Sequence, residues 1–108
     1  MNIFDSILRL GGKQAAGLAS EVAQQSCAAV WDRVQATVLG MSPAEAKGYI
    51  RAHATETVMG KIDAGLLRKR AISASARAEI VTMAADGVVE KLLNEVVRLQ
   101  RTTRRRAA

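Results

Sequence analysis

Little in this chain can do chemistry on its own. Its 108 residues include one cysteine, one histidine, one proline and three aromatic residues. A lone Cys27 cannot form an internal disulfide, which argues against a disulfide-stapled secreted module and suits a reducing compartment. It reads as a small apolar filler, because a free cysteine usually behaves as a buried hydrophobe. With His53 as the only histidine there is no two-histidine zinc site, and one thiol cannot complete a thiolate cage, so no metal or cofactor is expected. The smallest catalytic constellation would pair His53 as base with Cys27 or with the hydroxyl of Thr57, yet no nucleophile motif surrounds any of them. Phosphate-cradling glycine loops are missing too: beyond Gly11-Gly12 the glycines stand singly. Glu90 and Glu95 read as a solvated helix face rather than an acid and base pair. The chain is expected not to be an enzyme.

Long apolar runs are also missing. No stretch approaches the twenty or so residues needed to cross a bilayer, so integral membrane insertion is not expected. The start does not read as a signal peptide, since its first basic residue is Arg9 and Asp5 interrupts the apolar run. A cytoplasmic location is the expectation. Alternating β-branched and aromatic runs bounded by turn residues do not occur, which excludes strands and leaves an all-α chain.

What is present is aliphatic helix pattern. Ile3, Phe4, Ile7 and Leu8 form one stripe of a short amphipathic helix over 1–12, with Gly11 placed to close it. Its polar face, Asp5, Ser6 and Arg9, lacks the cations of a membrane-surface anchor, so the stripe is expected to dock on the body of the protein or on a partner. From about 13 to 39, Ala15, Ala19, Ala23 and Cys27 repeat every four residues and Val30, Val34 and Val38 continue the row, widened by Leu18, Val22 and Trp31. Small residues at that spacing let a neighbouring helix approach closely. Ser42, Pro43 and Glu45 carry the signature of a capped helix start, with proline in the first helical position and Glu three residues after the cap. From there Ile50, Ala54, Val58, Ile62 and Leu66 form a ridge, and a break is expected near 60–65, where Gly60 and Gly65 weaken the helix.

The last helix is expected over about 74–101, a body of 13–101 in all, followed by a flexible basic tail over 102–108. That helix offers Val81, Val88, Val89, Leu92, Leu93, Val96 and Leu99 over nearly half its circumference. One neighbouring helix cannot cover such an arc. The arc therefore predicts self-association, a small bundle of two or three long helices completed by dimerisation, unless the earlier helices wrap it within one chain.

The formal net charge is +6, unevenly spread: Arg98, Arg101, Arg104, Arg105 and Arg106 are five of sixteen basic residues, leaving eleven against ten acids. Arg101, Arg104, Arg105 and Arg106 are candidate phosphate contacts, which makes a nucleic-acid-associated protein the alternative function. Arg68, Lys69 and Arg70 suit the end of a helix. A helix-turn-helix drawn across 65–80 would read bases with Ala74, Ala76 and Ala78, which offer no base-edge contacts. The leading expectation is a non-enzymatic interaction or assembly module, a homodimer with room for a protein partner.

Overall fold

A computed structural model describes the backbone of residues 3–66 and 74–107, and the side-chain surroundings of 16–64 and 74–103. Apart from the turn at 39–42 the chain is helical in these residues, and no strand occurs among them. The order is α1 (Ile3–Val38), α2 (Pro43–Lys61), a π-helical turn (Ile62–Leu66) and α3 (Ala74–Ala107).

The start of α2 follows from its sequence. Ser42 sits in extended backbone geometry at the cap, Glu45 N–H donates to its Oγ at 3.3 Å, and the Ser42 hydroxyl donates to Glu45 Oε1 at 2.9 Å. The carboxylate thus grips the capping hydroxyl and fixes its rotamer. Where the glycine-weakened stretch was expected to break, α2 ends at Lys61 and the chain passes into the π turn.

Two expectations about ends change. No stop divides α1 at Gly11-Gly12: the helix is continuous from Ile3. Two helical glycines cost about 1 kcal/mol each, and no Ser, Thr, Asp or Asn follows them to cap a fresh start. The basic tail continues the last helix, because α3 runs on to Ala107. Arginine is a good helix former, and cations near the C-terminus complement the macrodipole. Thr102 and Thr103 turn their hydroxyls back on the helix, donating to the carbonyls of Arg98 and Leu99 at 3.0 and 2.9 Å.

The core is aliphatic. Val22, Val30, Val34 and Val38 of α1, Ile50, Ala54 and Val58 of α2, and Ile80, Val88 and Val96 of α3 are essentially inaccessible, with Ala19, Ala23, Ala46, Ala84 and Ala85 filling between them. The small residues do what their spacing implies: a methyl built on Gly87 would lie 3.3 Å from the Ala23 side chain, so α1 and α3 touch nearly backbone to backbone there.

Fixed contacts give the directions. Ala23 lies beside Gly87, and Gln100 reaches the carbonyls of Leu39 and Met41, so α1 and α3 run the same way. Arg51 pairs with Asp86 at 2.5 Å and Arg77 with Asp63 at 2.6 Å, so α2 runs opposite to α3. The same register makes α1 begin before α3 does and α3 outrun the α1–α2 turn. The molecule is accordingly 62 Å long, about 41 residues of helical rise, although α1 has 36.

Candidate interaction surfaces

The expected self-association seam is largely spent inside the chain. Val88 and Val96 are fully buried, and Val81, Val89 and Leu92 nearly so, in the core that α3 shares with α1 and α2; Leu93 and Leu99 are only partly covered. The arc that one neighbour could not cover meets two within the chain, since both α1 and α2 pack against α3. The other expected docking face, Ile3, Phe4, Ile7 and Leu8, lies in the first two turns of α1, and its side chains fall outside the described residues.

What α1 and α2 leave uncovered is the outer side of α3. Met83, Glu90, Asn94 and Arg101 are exposed there, Leu93 and Val97 are partly so, and Asp86 lies exposed at its α2 edge, where it pairs with Arg51. Around Arg98 and Arg101 the surface dips between Asn94, Val97 and Thr102. Arg98 grips Glu95 through both Nε and Nη2, and this hydrogen bonding holds the Glu95 carboxyl below its usual range and raises the guanidinium above its own. Both side chains are open to water, so the pair organises the surface more than it stabilises the fold. No acidic residue follows Glu95. By helical register Arg101 stands three residues from both Arg98 and Arg104 and four from Arg105, spacings at which like charges oppose one another.

At the opposite flank, Gln100 donates to the Met41 carbonyl at 2.8 Å and to that of Leu39 at 3.4 Å. This clamps the α1–α2 turn onto α3 and forms a shallow groove between Leu39, Met41, Pro43 and Thr103. Periodicity could not find the clamp, since a lone glutamine among arginines carries no pattern.

The residues with chemical potential form no hydrogen bond with one another through the buried atoms Ser26 Oγ, His53 Nδ1 and Thr57 Oγ1. Cys27 is buried, and desolvation raises its thiol above the ordinary value, only partly offset by the nearby charge of Lys91. His53 is half-buried with its ring tilted 54° against Tyr49 at 4.7 Å, and its Nδ1 has no hydrogen-bond partner. Thr57 Oγ1 is likewise buried and unpartnered, so no hydrogen bond joins it to His53 Nδ1. Ser26, fully buried on α1, has an unpartnered hydroxyl that sequence reasoning missed. Among the described residues no three His, Cys, Asp or Glu side chains gather as metal ligands, and no helix is long and apolar enough to cross a membrane. Compared with protein-family models, curated proteins and solved structures, the chain matches none.

Proposed function

We propose that this chain is a non-enzymatic helical interaction module that assembles with a second copy of itself, and that it works in the cytoplasm, in keeping with its single unpaired cysteine. One observation carries the reading. After α1 and α2 have closed over the α3 seam, α3 still presents apolar side chains on its outer side, Met83 at 37% exposure with Leu93 and Val97 partly open. A core built almost wholly from valine, alanine and isoleucine is thin for its length, and a second copy adds burial that one chain lacks. Two-fold pairing is the commonest closed symmetry. Light scattering from low micromolar to near-millimolar concentration tests it: the expected mass approaches twice 11.5 kDa, and a mass that stays at 11.5 kDa throughout removes the reading.

A second reading is favoured by the arginine stripe on a helix that continues past the α1–α2 turn. Such an end can lie against the phosphates of a duplex without reading its bases. Four or five phosphate contacts give a slope of about −4 in log affinity against log salt. Fluorescence anisotropy with a short DNA duplex measures that slope. Equal binding after Arg101, Arg104, Arg105 and Arg106 are all replaced by alanine would rule it out.

A further inference from the structure

The outer side of α3 has an order that its composition hides. Asp86, Glu90, Leu93, Val97, Arg101 and Arg104 follow one another at three- and four-residue steps, so helical register places them on one stripe. Two acids come first, two aliphatic residues lie in the middle, and two bases come last. Of these, Asp86, Glu90 and Arg101 are exposed, and Leu93 and Val97 are partly so. Glu90 and Arg101 form no ion pair among the described residues. Asp86 is paired with Arg51 but keeps 53% of its side chain open.

Read backwards, the stripe is its own complement. A copy laid antiparallel, with the two-fold axis level with residue 95, sets Leu93 against Val97 and the register position of Asp86 against that of Arg104, and it brings Glu90 within one residue of Arg101. A parallel copy sets acid on acid and base on base. We propose that a second copy of this chain docks on this stripe in antiparallel orientation. The two aliphatic residues sit at the symmetry centre and the charges form an outer set that fixes direction. The interface is isologous: each pairing occurs twice, once on either side of the axis. It rests on the self-association reading above and adds the surface, the orientation and the register. Salt weakens such a contact, because its directing charges are open to water.

Charge reversal in the full-length chain tests it. Glu90→Arg and Arg101→Glu are exposed substitutions that leave the core untouched, which circular dichroism and a thermal melt verify for each. By sedimentation equilibrium, each single variant is expected to raise the dimer dissociation constant by about tenfold or more, since the reversal places like charges together at both ends of the axis. The double variant Glu90→Arg/Arg101→Glu is expected to return to wild-type affinity, because both copies then carry the swapped pair. A dimer that single reversals do not weaken, or that the double variant fails to restore, overturns the antiparallel stripe while leaving self-association standing. A wild-type chain that stays monomeric overturns both.

Discussion

Gly87 shows how much one missing methyl can decide. A helix-interior glycine ordinarily gains up to about 1 kcal/mol on conversion to alanine. Gly48 has nothing within 4 Å of the added atom and should show that gain, whereas at Gly87 the new methyl meets the Ala23 methyl at 3.3 Å, closer than such groups normally sit. Gly48→Ala should therefore raise the melting temperature by several degrees, as about 1 kcal/mol does in a domain of this size. Gly87→Ala should give none of that gain, and Gly87→Leu should lower the melting temperature by forcing α1 and α3 apart. Cys27 gives a pH-dependent counterpart. Its thiol is held above the ordinary 9.0 in the folded chain, so the unfolded chain releases that proton first as pH rises. The contribution is complete below the unfolded value and declines as pH climbs through it towards the folded one. Urea midpoints at about pH 7 and about pH 10 should fall further in the native chain than in Cys27→Ala, and equal falls would show that burial does not protect the thiol. The burial of Cys27 was legible from its place in a four-residue row; the backbone approach at Gly87 was not, because an isolated glycine does not announce which neighbour it meets.

At the level of single elements, starts were easier to read than continuations. The Ser42-Pro43-x-Glu45 start is local chemistry, since a side chain three residues away satisfies an orphan amide, and the hydrogen bonds at Ser42 bear it out. Ser42→Ala should cost about 1 kcal/mol, visible as a lower melting temperature with the bundle otherwise intact. A loss well beyond that would mean that the turn and its Gln100 clamp depend on the cap as well. The ends of α1 and α3 were less legible for the converse reason. Glycine pairs and arginine runs are cues whose sign depends on the surroundings. Gly11-Gly12 permits a helix stop without imposing one, and Lys13-Gln14-Ala15 offers no Ser, Thr, Asp or Asn to cap a fresh start. Arg104, Arg105 and Arg106 were expected in a flexible tail, but arginine is a good helix former and cations at a C-terminus complement the helix dipole, so α3 continues through them.

For the whole molecule, the sequence showed that α3 carries more apolar surface than one neighbour can cover, but the number of neighbours depends on topology and is not written in any one helix. With α1 parallel to α3 and α2 antiparallel to it, the arc divides: Val88, Val96 and Leu92 go to the core, Leu93 and Val97 to its edge. That division has a measurable consequence at Leu92, which is 5% exposed. Leu92→Glu removes roughly 1.5 to 3 kcal/mol of side-chain burial and adds the cost of an unpaired carboxylate inside an aliphatic core. Together these approach the whole stability of a small domain, commonly about 5 to 15 kcal/mol. The variant should lose its cooperative melting transition at every protein concentration, because the damage lies within one chain. Had Leu92 belonged to a surface between two copies, the same substitution would yield a folded 11.5 kDa monomer with undiminished helicity. Circular dichroism melts at two widely separated concentrations distinguish the two cases. Glu90→Arg, two positions away on the outer side, serves as the control that should melt as the native chain does when both are dilute.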